Sequence, residues 1–115
     1  MRRDHQRLVD ILDALDSLGR MIEGRTESEF FSDEMLRYAV AQRLTVVGEA
    51  VARLSAEIKE RHGPTPWQDI VGLRNILVHE YFGIHWPSVW QTVIEDAPAL
   101  RERIARIVAT EFPEL

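Results

Sequence analysis

The sequence predicts an all-α protein: an up-and-down bundle of four main helices, with a short extra helical turn and a kinked C-terminal helix. Apolar residues recur at helical spacing along nearly the whole chain, and no segment alternates with period two for long enough to form a strand. The connections between the helical segments are short, which places neighbouring helices antiparallel. The 115 residues are expected to form one domain, residues 1–115, that folds without a covalent staple.

The first helix is expected to run from about Asp4 to Glu23 and to end at Gly24. The segment Thr26-Glu27-Ser28-Glu29 has the form of a capping box, so we expect one short turn over Glu27 to Phe31 before Ser32 caps the next helix. The apolar positions of the first helix form one stripe, and its acidic residues lie on the opposite face. That stripe comprises Leu8, Ile11, Leu12, Leu15, Leu18 and Ile22.

The second helix is expected to be the longest, from about Asp33 to Arg61, because its apolar residues keep one phase up to the stop signal Gly63-Pro64. A helix of that length spans roughly 40 Å. Gly48 lies in its interior, where glycine costs about 1 kcal/mol relative to alanine. We therefore expect a close contact with another helix at Gly48.

Thr65-Pro66 predicts a new start, with the threonine as N-cap and the proline in the first turn. The third helix is therefore expected from about Pro66 to Phe82, with Gly83 as its C-terminal stop. The last helical region is expected from Trp86 to about Thr110, interrupted by Pro98. Because the apolar stripe keeps its phase across the proline, one kinked helix is favoured over two separate helices.

The composition excludes several classes of site. The chain has no cysteine, which excludes disulfides, thiolate zinc sites and cysteine nucleophiles and favours a reducing, cytoplasmic setting. Charged residues interrupt the N-terminal segment, which predicts neither a signal peptide nor a membrane span. The net charge of -5 argues against sequence-independent binding to nucleic acid, so any RNA is expected to be held by a local patch.

The segment Arg74-Asn75-Ile76-Leu77-Val78-His79-Glu80-Tyr81 places a guanidinium, a carboxamide, an imidazole and a phenol on one predicted helix. This combination suits phosphate chemistry, because the arginine neutralises phosphoryl oxygens while the histidine, which titrates near neutrality, moves a proton. Arg74 and Tyr81 fall on nearly one line of the helix and Asn75 and His79 on a second, with about 140° between Arg74 and His79. A joint site then requires the arginine to curl round, the helix to end or bend near His79, or a second copy of the chain across a two-fold axis.

These residues also have structural interpretations. Arg74 could form an ordinary ion pair with Asp69, Asp96 or an acid of a dimer mate. His79, near the helix C-terminus, could simply favour the macrodipole. Asn75 stands one turn before His79, where its side chain could fix the imidazole tautomer.

Other candidates carry less chemistry. Tyr81 alone could be a half-buried packing residue. His5 and His62 are expected to be solvated, and His85 to cap a helix. No Glu-x-x-His pair occurs, which argues against a di-iron carboxylate site, and no metal or cofactor motif accompanies the segment, so we expect neither.

Four segments together resemble the HepT-like branch of the HEPN superfamily. They are Val47-Gly48-Glu49-Ala50, the stretch from Pro66 to Ile84, Val89-Trp90, and Asp96-Ala97-Pro98-Ala99-Leu100. The resemblance covers essentially the whole chain. The pattern Trp-x2-Ile-x-Gly-x-Arg-Asn followed by His-x-Tyr is far more specific than a bare Arg-x4-6-His pair.

The resemblance implies a helical-bundle homodimer that acts as a metal-independent endoribonuclease toxin, with its cleft at the dimer interface. Carried over by position, Arg74 and His79 become the catalytic pair, Asn75 their polar neighbour and Tyr81 the residue that is modified. His85 departs from the aspartate cap that is common in the family.

The resemblance also implies partners: an RNA substrate and a minimal nucleotidyltransferase antitoxin of the MntA type, which transfers AMP from ATP to the motif tyrosine. No DNA or membrane partner is expected, and no cofactor. The alternative is a non-catalytic HEPN module that binds nucleotides or docks a nucleotidyltransferase and cuts nothing.

Overall fold

The structure, a computed structural model, describes residues 2–114, which form helices and contain no strand. This confirms the predicted all-α bundle. The single domain predicted over residues 1–115 includes Met1 and Leu115, which lie outside the described residues. The elements in chain order are α1 (Arg2–Ile22), α2 (Glu27–Ser32), α3 (Glu34–Ala52), α4 (Ala56–Arg61), α5 (Trp67–His79), a 3-10 turn (Tyr81–Gly83), α6 (Trp86–Gln91), a π segment (Thr92–Asp96) and α7 (Ala97–Glu111).

The core forms where α1 packs against α3 and α7, while α3 packs against α5 on its other side. The predicted stripe of α1 faces this core, with four of its six residues buried and Leu12 and Ile22 partly buried against it. The largest fully buried side chains come from five helices and the π segment: Leu8, Ile11, Leu18, Phe30, Val40, Val51, Ile58, Val93 and Ile104. The amphipathic period therefore predicted the core correctly. No helix of the described residues is long and apolar enough to cross a membrane.

The capping box before α2 is confirmed. The Thr26 hydroxyl accepts from the Glu29 amide at 3.1 Å, and the Glu29 carboxylate accepts from the Thr26 amide at 2.9 Å. The cap of α3 was wrongly predicted, because Asp33 takes this role and its carboxylate accepts from the Leu36 amide at 3.0 Å. The Ser32 hydroxyl instead donates to the Glu29 carbonyl, at 3.2 Å.

The single long second helix was also wrong, because α3 ends at Ala52 and α4 begins at Ala56. The break is stabilised by Asp4, which is 4% exposed and accepts from the Ser55 amide at 2.9 Å and the Ser55 hydroxyl at 2.6 Å. Ser55 in turn caps α4 by accepting from the Ile58 amide. A buried carboxylate thus satisfies backbone and side-chain donors at a point where the apolar pattern alone shows no interruption.

The third and last helices needed smaller corrections. Pro66, rather than Thr65, is the residue before α5, and the helix ends at His79, with the segment to Gly83 forming the 3-10 turn. The C-terminal region stays helical from α6 to α7, as the single-helix prediction required. Its π segment ends where the Ala97 amide donates to the Thr92 carbonyl, five residues earlier. This wider turn immediately precedes Pro98, which has no backbone N–H to donate.

Candidate active site

Helices α3 and α5 cross at Gly48. A Cβ atom on this residue would lie 2.3 Å from Cβ of Arg74 and 3.3 Å from the Ile70 carbonyl oxygen, so only glycine fits there. This confirms the close helix contact predicted from the interior glycine. The space beside Gly48 is therefore filled by Arg74 of the same chain.

The Arg74 side chain is held against α3 by Glu49. Its Nη1 lies 3.1 Å from Glu49 Oε1, and the arginine side chain is 21% exposed while that of Glu49 is 46% exposed. The alternative interpretation of Arg74 as an ordinary ion-pair residue therefore holds in kind, but its partner is Glu49 of α3 rather than Asp69 or Asp96.

The guanidinium of Arg74 has an unused donor. Its Nε is buried and has no hydrogen-bond partner among the described residues. Arginine offers five N–H donors in a planar fork, and a buried donor without an acceptor costs free energy. The Arg74 side chain is partly exposed, so an oxyanion such as a phosphate would meet the Nη donors of the guanidinium rather than the buried Nε.

His79 and Asn75 lie on the exposed surface of α5. His79 is the last residue of α5. A helix end near His79 was one of the three arrangements that would allow Arg74 and His79 to share a site. The hydrogen bond expected between Asn75 and His79 is not among those of the described residues. Within one chain, therefore, Arg74 is tied to α3 while the imidazole faces solvent.

Tyr81 lies in the 3-10 turn and stacks on Tyr38 of α3, with ring centroids 5.1 Å apart and planes within 6°. Phe82 and Trp86 meet the Tyr81 ring edge-on at 5.9 and 5.8 Å. Partial burial, together with the adjoining Tyr38 hydroxyl, raises the pKa of Tyr81 to about 12. The phenol is therefore neutral at pH 7.

Several apolar side chains near Tyr81 are exposed. Phe82 is fully exposed, Met35 is 83% exposed, and Val78 is 48% exposed. Met35 lies about one turn before Tyr38 on α3, and Phe82 contacts Tyr81 directly. This end of the α3–α5 pair is therefore an apolar surface that a partner could cover.

Sequence reasoning missed two residues of this site. Glu49 had a signal, because it lies in the segment Val47-Gly48-Glu49-Ala50 next to the unexplained glycine. No sequence feature indicated Tyr38, because its contact with Tyr81 arises only from the packing of α3 on α5. Among the residues that the structure describes, no group of three or more histidine or acidic side chains is arranged to hold a metal ion.

Comparison with known proteins identifies the family of this chain. Residues 11–107 match the family described as "Ribonuclease HepT-like". A protein of Caldanaerobacter subterraneus subsp. tengcongensis named "Putative RNase TTE0752" is 32% identical over 111 residues, which cover 96% of this chain and 99% of that protein. A protein of Methanocaldococcus jannaschii named "Putative RNase MJ1380" is 36% identical over 84% of this chain and 89% of its own length.

A third relative, from Thermococcus cleftensis and named "Probable ribonuclease HepT", is 30% identical over 93% of this chain and 98% of its own length. No solved structure matches the chain significantly. The family match includes α3, the Arg74–Glu49 pair and the whole segment from Arg74 to Tyr81. The chain therefore belongs to the HepT-like ribonuclease family.

Proposed function

We propose that this protein is a metal-independent endoribonuclease toxin of a toxin–antitoxin system, and that Arg74 and His79 are its catalytic residues. The observation that carries the proposal is the state of Arg74, whose guanidinium is held by Glu49 at the crossing of α3 and α5 and is still partly exposed. An exposed imidazole follows on the same helix. Positive charge and a titratable group are the two requirements of RNA cleavage without metal.

The reaction we propose is attack of a ribose 2'-OH on the adjacent phosphorus. The hydroxyl loses its proton to a base, the bond to the 5'-oxygen breaks, and an acid returns a proton to that oxygen, which leaves a 2',3'-cyclic phosphate. His79 supplies proton transfer, Arg74 stabilises the developing negative charge on the phosphoryl oxygens, and Asn75 orients the substrate beside them.

A complete site requires a second copy of the chain in this proposal. One imidazole cannot be base and acid at once, and His79 faces solvent rather than Arg74. A two-fold axis beside α5 would bring two histidines and two arginines into one cleft. The exposed Phe82, Met35 and Val78 support a contact at this end of the helix pair. Light scattering at micromolar concentration tests the dimer, and a strictly monomeric protein would contradict it.

Tyr81 is the residue that we propose is modified by the antitoxin. In the transfer, its phenol oxygen attacks the α-phosphorus of ATP, pyrophosphate leaves, and the phenol proton passes to a base. The raised pKa of Tyr81 makes its phenol harder to deprotonate, so the transfer requires a general base beside the phenol oxygen. The added nucleotide is bulky and anionic, and it would obstruct RNA at the His79 end of α5.

The test is RNA cleavage in EDTA by the wild-type protein and by His79→Ala and Arg74→Ala. We expect each substitution to lower the rate by about 10²-fold or more. His85→Ala is the matched control, because this histidine is exposed and Ser88 is the one side-chain hydrogen-bond partner of its ring among the described residues. Equal rates for His79→Ala and wild type would refute the assignment.

The modification is tested separately with a cognate nucleotidyltransferase and ATP. We expect an increase in intact mass by one or more AMP units, loss of cleavage, and resistance of Tyr81→Phe. An adduct that maps to another residue would refute the role of Tyr81. Tight nucleotidyltransferase binding by a protein that cleaves no RNA and arrests no growth would instead support the non-catalytic docking module.

A further inference from the structure

A second cationic site lies at the opposite end of α5 from His79. There, α4, the segment leading into α5, and α7 line an open pocket of about 350 Å³. Its polar lining consists of Arg61, His62, Thr65, Arg103, Arg106 and Thr110. The pocket is at the small end of the range for ligand sites, which suits a single charged group better than a large apolar molecule.

Among residues 2–114, only one of the three arginines in this pocket has a carboxylate partner. Arg61 binds Glu111 with two hydrogen bonds, of 2.6 and 2.9 Å, and His62 binds the same carboxylate at 2.9 Å. These contacts hold the pKa of Glu111 at about 2, so the carboxylate is charged at all physiological pH values and both of its oxygens are engaged. Glu111 therefore fixes Arg61 and His62 without neutralising the rest of the pocket.

Arg103 and Arg106 form no ion pair among the described residues. They lie about one turn apart on α7, so both guanidinium groups can reach the same pocket. Arg61, Arg103 and Arg106 concentrate positive charge at this pocket in a protein whose net charge is -5, and Arg103 also lines a neighbouring cavity that contains Asp69 and Asp96. A local cationic concentration of this kind is a site for an anion.

Thr65 adds a hydroxyl to the guanidinium groups. The residue is 4% exposed, and it lines the pocket. The sequence suggested that it would cap α5, but Pro66 occupies that position and no side chain caps the helix. The Thr65 hydroxyl is therefore available to a ligand in the pocket.

We propose that this pocket is a phosphate-binding subsite, with Arg103 and Arg106 as its principal ligands. Planar guanidinium groups pair with phosphate oxygens through two parallel hydrogen bonds, and a threonine hydroxyl can donate a further one. The phosphate belongs to the RNA backbone, which rests on the proposed ribonuclease function. Trp67, the first residue of α5, lies seven positions before Arg74, about 10 Å along the helix, and Thr65 precedes it, so the subsite holds RNA away from the cleavage point.

Two measurements test the subsite without depending on cleavage. The first is titration of the full chain with inorganic phosphate, followed by backbone amide NMR. We expect shifts of the amides from Arg61 to Thr65 and around Arg103 and Arg106. Absence of any shift there at millimolar phosphate would overturn the proposal.

The second measurement is the binding of a fully 2'-O-methylated RNA, which cannot be cleaved, by fluorescence anisotropy at several salt concentrations. We expect Arg103→Ala and Arg106→Ala each to reduce the slope of log K against log salt by about 0.7, the value for one lost contact to a single-stranded phosphate. Arg101→Ala is the matched control: it removes the same charge from the same helix, but Arg101 is paired with Asp16 at 2.7 Å.

Each outcome has a distinct meaning. Equal slopes for all three variants, with phosphate shifts retained, would support a subsite for free phosphate and overturn RNA as its source. Reduced slopes in a protein that never cleaves RNA would support the subsite while refuting the proposed nuclease. Arg103 and Arg106 are exposed and unpaired, so their replacement leaves folding intact, which an unchanged Tm verifies.

Discussion

Replacing Gly48 with alanine tests the helix crossing on which the candidate site depends. The new Cβ would lie 2.3 Å from Arg74 Cβ and 2.8 Å from its Cγ. Carbon atoms that are not bonded pack at about 3.5–4.0 Å, so α3 and α5 must separate by about 1 Å or more at this point. Arg74 Cβ is fixed to its own backbone, so a side-chain rotation cannot relieve the contact.

Two opposing effects set the magnitude. Overpacking of this kind costs about 1–3 kcal/mol, and the rigid neighbour places the cost at the upper end. Alanine in place of a helical glycine stabilises by about 1 kcal/mol. We therefore expect Gly48→Ala to lower the free energy of unfolding by about 2 kcal/mol, which corresponds to a Tm lower by about 8 °C for a domain of this size.

Gly19→Ala provides the control, because Gly19 is also inside a helix but has nothing within 4 Å of its ideal Cβ. There we expect stabilisation by about 1 kcal/mol, since only the helix propensity changes. Urea denaturation followed by circular dichroism measures both variants. If Gly48→Ala is as stable as Gly19→Ala, then the close crossing does not exist in solution and the placement of Arg74 against Glu49 is wrong.

Three further predictions concern other contacts. Glu49→Gln should lower RNA cleavage by about 10-fold through loss of the Arg74 anchor, yet change stability by less than about 1 kcal/mol because the pair is partly exposed; kinetics and urea melts separate the two. Asp4→Ala should destabilise by about 1–3 kcal/mol in the same melts, because the donors of Ser55 lose a buried acceptor. The pKa of Glu111 is lowered from 4.5 to about 2, so its stabilisation is present above pH 4.5 and is lost as the pH falls toward 2; Glu111→Gln should therefore flatten the acid-denaturation curve in that window.

Local signals in the sequence predicted most of the fold. The period of apolar residues identified the buried stripe of α1, and the capping box located α2, because both depend on neighbours along the chain. The break between α3 and α4 could not be predicted in this way. Val51, Leu54 and Ile58 are all buried and keep one phase across it, while the contact that stabilises the break comes from Asp4, 51 residues away from Ser55.

The candidate site was also predicted only in part, as far as local sequence signals allowed. The positions of Arg74, His79 and Tyr81 on or just after α5 follow from local pattern, and so does the need for a close neighbour at Gly48. The side chains that contact these residues cannot be predicted from local pattern, because Glu49 and Tyr38 belong to α3 and reach α5 only through tertiary packing. A glycine without a local reason was the one sequence feature that pointed to that packing.

The same glycine changes where a second copy of the chain should be sought. Gly48 requires no contact from a second copy, because Arg74 of the same chain packs against it. What remains uncovered lies toward the other end of α5, where His79 is exposed and Phe82 has no apolar cover. A dimer formed there would bury the apolar side chains and bring the exposed imidazoles toward each other, while each Arg74 stays held by its own Glu49. In such an arrangement the partner would supply the proton-transfer group, and the chain itself would supply the fixed positive charge.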